Sequence, residues 1–236
     1  ALSTNQSSIA NKKKEIRNIF KAINHPSLTC SLNENAYRVI HSGYWIGENK
    51  CNTKRGDSTL CQVCNQTETI KHMYCDCNKI NTFWSKLLNW WRKRTTEELE
   101  PNSRTVLLGL RQKELHNNET SFAETALPFT YLRTIALTVI RKERAKLQLG
   151  LEGSSPNSML KKTLQILQLR ANMLFMNATK WEKSKENEKD KKHSKDKEES
   201  ISIYSLDFFH ESWIESGIAK LTGSHSLPVL IRARGH

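Results

Sequence analysis

The stretch CQVCNQTETIKHMYCDC, residues 61–77, constrains this chain more than any other. Cys61 and Cys64 are separated by two residues, His72 follows after seven more and Cys77 after a further four, which spells C-x2-C-x7-H-x4-C. A CxxC turn brings two thiolates to one ion, and the H-x4-C arm returns the other half of a tetrahedral shell; this is zinc-ligand chemistry at zinc-ligand spacing. Gln66-Thr67-Glu68-Thr69 is polar and turn-forming, so the loop can close around a metal without a core of its own. Cys75, two residues before Cys77, is the alternative fourth ligand. The competing account is a set of buried, reduced cysteines beside a chance histidine. Four protein ligands leave no place for a reactive water, so zinc here is expected to be structural.

The chain has six cysteines, an even number that would also suit disulfides. No signal peptide is visible, however, and the interior is lysine-rich, so the cluster reads as metal binding in a reducing compartment. Cys30 and Cys51 lie outside any paired spacing and are read as non-ligands. The N-x-[ST] matches at Asn5, Asn65, Asn118 and Asn177 are read as chance occurrences of a short pattern.

From Lys79 the sequence KINTFWSKLLNWWRKR places Ile80, Phe83, Trp84, Leu87, Leu88 and Trp91 at helical spacing, so a helix with one apolar face leaves the metal loop directly. Together these residues resemble the zinc-binding domain downstream of the polymerase in non-LTR (LINE-type) retrotransposon reverse transcriptases. The residues that carry the likeness are Cys61, Cys64, the Glu68-Thr69 pair, His72, Cys77, and Trp84 seven positions past the last cysteine. The upstream AYRVIHSGYW, Ala36 to Trp45, resembles the helix that precedes the family's knuckle, and Leu107-Leu108-Gly109 resembles a downstream turn. The resemblance spans about residues 30–110.

The formal net charge of +13 points to a polyanionic partner, with nucleic acid first, because Lys and Arg displace counterions from phosphate backbones. A membrane is the weaker alternative, since no apolar run approaches the roughly 18–20 residues that span a bilayer. The mean hydropathy of −0.64 allows a lean core with polar tails. The first residue is Ala, and the chain is expected to be a piece of something longer.

The expected fold is mainly α, with a small zinc knuckle inserted between helices and a C-terminal helical hairpin. Residues 1–50 hold basic helices: one with Ile16, Ile19, Phe20 and Ile23 on its apolar face, and a second over 35–46 packing Tyr37, Val39, Ile40 and Tyr44. Residues 51–78 form the knuckle with its basic leading loop. Residues 79–179 form a helical domain. In it, a helix from near Pro128 to Gly150 carries Phe129, Leu132, Ile135, Ala136, Val139 and Ile140 on one face, with Arg133, Arg141, Lys142, Arg144 and Lys146 on the others. After a Ser/Pro turn, its antiparallel partner packs Leu160, Leu164, Leu167, Ala171 and Leu174, with Met159, Met173 and Met176 as core filler. Residues 180–200 read as the helix end running into a charged, mobile linker. In 201–236, Asp207 is expected to cap a short helix reaching about Leu221.

Candidate phosphate contacts are Lys12, Lys13, Lys14, Arg17 and Lys21 on the first helix, Lys54 and Arg55 in the basic loop, Arg92, Lys93 and Arg94 behind the tryptophans, and Arg141 and Arg144. Trp45 and Trp90 are candidates for stacking on bases, against a simple packing role. The resemblance implies a segment that binds element RNA, target DNA or both beside the upstream reverse transcriptase domain of the same polyprotein, in a nuclear and cytoplasmic ribonucleoprotein. The paired aspartates of polymerase chemistry are missing, so this segment is expected not to be an enzyme. A restriction-like endonuclease, found after the zinc motif in some members, would need acids and a lysine on a strand pattern that the region lacks. The remaining alternative is a zinc-stapled protein-interaction module.

Overall fold

The structure is a computed structural model that describes residues 13, 16–20, 23–25, 27–44, 46, 59–95, 97–110, 122–189, 205–221 and 227–230. These residues are mainly helical, in line with the apolar spacing of the sequence. Helix α1, Cys30–Ile40, follows Thr29 in extended conformation and buries Leu32, Ala36 and Val39 at helical spacing. It begins earlier than expected and stops before Gly43, and Tyr37 is 48% exposed instead of packed. Helix α2, Asn78–Thr95, buries the six apolar residues read from its sequence, from Ile80 to Trp91. Arg92, Lys93 and Arg94 fall in its last turn, where cations complement the helix dipole.

The hairpin forms from α3, Phe122–Gln148, and α4, Pro156–Lys189. Its turn closes as a Schellman motif: Gly150, at φ +72°, donates to Leu147 O at 2.9 Å and Leu151 donates to Lys146 O at 3.0 Å. The Glu143 carboxylate then accepts from Ser154 N at 2.8 Å and holds the connecting segment against α3. The start of α3 lies upstream of Pro128, which sits inside the helix and omits one rung of its ladder. Helix α3 is the centre of the molecule, packing against α1, α4 and the turn at His210–Glu215. From Leu127 to Leu137 it is buried at every position. Accordingly Tyr131, Leu137 and Thr134 are buried along with the predicted face, and so are Arg133 and Arg144, which the sequence had placed off that face.

Helix α4 continues to Lys189, so the first half of the stretch read as a linker is helical; 190–200 lie outside the described residues. Met159 is buried as expected, whereas Met173 and Met176 are about half exposed and fill no core. Toward the C-terminus Ser205, not Asp207, caps α5, Leu206–Phe209: its hydroxyl accepts from Phe208 N, and Asp207 sits within the first turn. A π-turn, His210–Glu215, follows and ends at Gly217. Strands β1, Ala219–Lys220, and β2, Val229–Leu230, then pair antiparallel in register Ala219 with Leu230. The Gln168 side chain from α4 donates to Pro228 O at 2.6 Å and accepts from Leu230 N at 2.7 Å, so a helix side chain pairs with β2 as a neighbouring strand would.

Among the described residues, the larger of two buried clusters includes Leu28, Cys61, Trp84, Ile135, Leu167 and Leu230, and so joins the segments drawn from the sequence as 1–50, 51–78, 79–179 and 201–236. A smaller one gathers Ile19, Ile23, Ala36 and Leu110.

Candidate metal centre

The local chain path from Leu60 onward is set by backbone bonds. Leu60 and Thr67 form an antiparallel bridge, Cys61 N donates to Gln66 O at 2.8 Å, and Asn65 N returns to Cys61 O at 2.8 Å. Asn65 takes the left-handed conformation at φ +57°, which asparagine tolerates better than most residues. The result is a tight knuckle that turns Cys61 and Cys64 inward, with Val63 N donating to Cys61 Sγ at 3.4 Å.

The second half depends on an unusual helix. Thr69 Oγ1 accepts from His72 N at 3.0 Å and starts a turn. From His72 to Asp76 the backbone winds as a π-turn, and Cys77 N donates to His72 O at 3.0 Å. Five residues overshoot an α-helical turn of 3.6 but complete a π-turn, so this winding stacks His72 and Cys77 on one side and makes the H-x4-C spacing usable. Trp84 fixes the turn from α2 by donating Nε1–H to Tyr74 O at 2.8 Å.

Cys61, Cys64, His72 and Cys77 converge, with one ligand atom from each lying within 4.8 Å of all the others. Cys64 Sγ and His72 Nε2 are 3.2 Å apart. Cys61 and Cys77 are fully buried, His72 nearly so, and Cys64 is half-buried. Three sulfurs and one imidazole facing a common centre form a donor set that could hold a metal ion. Cys75 is not part of it: its thiol donates to Pro101 O at 3.3 Å, and burial followed by the neighbouring Asp76 pushes it up to about 11.

Arg144 reaches the cluster from α3. Its Nη1 donates to Cys61 Sγ at 3.0 Å and lies 3.6 Å from Glu68 Oε1, all three residues being buried. Burial alone would raise the Cys61 thiol, but the Val63 N–H, Arg144 and His72 outweigh it and bring the group down to about 6. Burial also opposes the charge on Arg144, yet Cys61, Cys77 and Glu68 together hold its pKa above the ordinary value. Burial and the neighbouring thiols raise Cys64. The phosphate-contact role expected of Arg144 is therefore corrected: its guanidinium is enclosed against a thiol and cannot meet solvent-borne phosphates in this arrangement. Eighty-three positions separate Arg144 from Cys61, and nothing in the sequence pairs them.

The other expected contacts are dispersed. Lys13, Arg17, Arg92 and Lys93 are exposed, and Arg141 is half-buried. Arg92 leans toward Asn89 at 3.2 Å and Glu98 at 3.6 Å. Arg94 lies over the Trp90 ring, 4.0 Å from its centroid, and donates to Trp90 O at 2.7 Å. Lys12, Lys14, Lys21, Lys54, Arg55 and Trp45 fall outside the described residues. No described helix is long and apolar enough to cross a membrane. Comparison with family models, with curated proteins and with solved structures finds no match to this chain.

Proposed function

We propose that this chain is a nucleic-acid-binding segment of a non-LTR retrotransposon reverse transcriptase, built around a structural zinc ion and working beside the upstream polymerase domain of the same polyprotein. The observation that carries the reading is the convergence of Cys61, Cys64, His72 and Cys77, the four residues that the motif nominates. Zinc suits three thiolates and an imidazole; in a tetrahedral shell, Zn–S near 2.3 Å and Zn–N near 2.0 Å would set sulfur and nitrogen roughly 3.5 Å apart and two sulfurs roughly 3.8 Å apart, so the Cys64–His72 separation of 3.2 Å and the 4.8 Å that spans all four donors would close on an ion by small side-chain shifts. Bound there, the ion would supply a cross-link between knuckle and π-turn. Arg144 and Glu68 would balance the thiolate charge around it, and Trp84 would tie the unit to α2. The surplus of +13, with Lys13, Arg17, Arg92 and Lys93 exposed, favours RNA or DNA as partner. The reading assigns no catalysis to the segment and places it in an intracellular, nuclear and cytoplasmic ribonucleoprotein.

Metal content and salt dependence test it together. One zinc per chain is expected in the wild type and in Cys75→Ser, and none in Cys77→Ser. Affinity for nucleic acid should fall linearly on a log–log plot against salt. Zinc-free wild-type protein, or affinity indifferent to salt, would sink the proposal. A second reading, a zinc-stapled protein-interaction module, is favoured by Leu169, Met173 and Met176, which are exposed at i, i+4, i+7 along one face of α4. Docking through that face would survive high salt.

A further inference from the structure

Away from the metal cluster, α2, α4 and β2 border a groove of about 690 Å3, within the roughly 300–1,000 Å3 typical of small-ligand clefts. Two cations line it, Arg94 and Lys161, and no Asp or Glu does, so an anion entering meets no opposing carboxylate among the described lining residues. The aromatic wall is already assembled: the Arg94 guanidinium rests on the Trp90 indole at 4.0 Å and is pinned by its bond to Trp90 O. A planar guanidinium on an indole presents a flat face of the kind on which unstacked bases settle. Leu164, Leu169, Val229 and Leu230 supply an apolar surround. Gln165 is exposed and brings an amide that both donates and accepts, as a base edge does, while Gln168 is committed to β2 and serves as wall.

We propose that this groove is a nucleotide-binding site, taking one unstacked base against the Trp90–Arg94 pair with its phosphate at Lys161, from a free nucleotide or from an unpaired unit of a single strand. An aliphatic acid would use the leucines and a cation but leave the stack and the amide idle. The site deepens the nucleic-acid reading, and its single-strand arm rests on that reading.

The test uses the full metal-loaded chain with three probes: AMP, a fluorescein-labelled oligouridylate, and the same strand annealed to oligoadenylate. Lys161→Glu and Leu169→Ser change exposed positions on α4, and unaltered melting and metal content verify their fold. Oligouridylate affinity should fall about tenfold in Lys161→Glu and severalfold in Leu169→Ser. Duplex affinity should change by less than about twofold in Leu169→Ser, because paired bases cannot enter. AMP should compete with oligouridylate in the wild type, and polyglutamate of equal charge should not. If Leu169→Ser leaves single-strand affinity untouched, or weakens duplex equally, the groove assignment falls while wild-type binding keeps the nucleic-acid reading standing. Binding of AMP that depends on Leu169, with no strand bound by the wild type, would uphold the groove and remove that reading. Displacement by polyglutamate as readily as by AMP would reduce the site to a general anion patch and overturn it.

Discussion

Arg144 is the residue on which the local electrostatics turn. Its side chain is almost wholly enclosed, as is that of Glu68, and its guanidinium faces both the Glu68 carboxylate and the Cys61 sulfur. Replacing Arg144 by Met leaves a buried carboxylate and a buried thiolate without their cation. The expected loss is about 3–5 kcal/mol, and adding Glu68→Gln should recover part of it in a double-mutant cycle read by denaturant unfolding. Together with the Val63 N–H, the same contact sets a pH dependence. The Cys61 thiol drops from 9.0 to about 6 on folding, so between these values the folded metal-free chain holds fewer protons than the unfolded one. Its contribution to stability is therefore complete above the unfolded value and is lost as pH falls through about 6. Denaturation midpoints of the metal-free protein should rise with pH across that window, and the rise should shrink in Arg144→Met.

At the level of elements, two glycines with nearly equal backbone angles separate strain from crowding. Gly150, at φ +72°, has open space where a Cβ would stand, so Gly150→Ala should cost only the left-handed penalty of about 1–2 kcal/mol. Gly217, at φ +76°, would set a Cβ 2.8 Å from Arg94 O, a backbone atom that cannot step aside. Gly217→Ala should therefore lower the melting temperature further than Gly150→Ala, by detaching the C-terminal turn from α2. The hairpin and the apolar face of α2 were legible from residue spacing because one side of each meets water and leaves a period. The true start of α3 was not, because proline reads as a first-turn residue and Pro128 here sits inside the helix. Met173 and Met176 were misplaced because they lie on the outward face of α4, while its inward face stays covered as far as Ala178. The four candidate ligands were readable because their spacing is local. The π-turn that makes H-x4-C workable was not, because winding is decided by what packs on it, here Trp84 on Tyr74 O. Ser205 displaced Asp207 as cap because the cap is the last extended residue, and the sequence offers two adequate oxygens two positions apart.

For the molecule as a whole, the candidate metal centre and the helical core share buried residues, with Cys61 and Cys77 packed in the same cluster as Ile135 and Leu167. Removing the metal with a chelator is expected to lower the midpoint of thermal unfolding while leaving most far-ultraviolet helical signal at low temperature, since α3 and α4 bury their apolar surface against each other without it. Loss of the whole signal on chelation would mean that the ion nucleates the bundle instead of fastening one end of it. The amide of Gln168 carries a different consequence. By occupying Pro228 O and Leu230 N it seals one seam of the C-terminal ribbon, so a foreign backbone cannot zip onto that side without first prising a glutamine out of its latch.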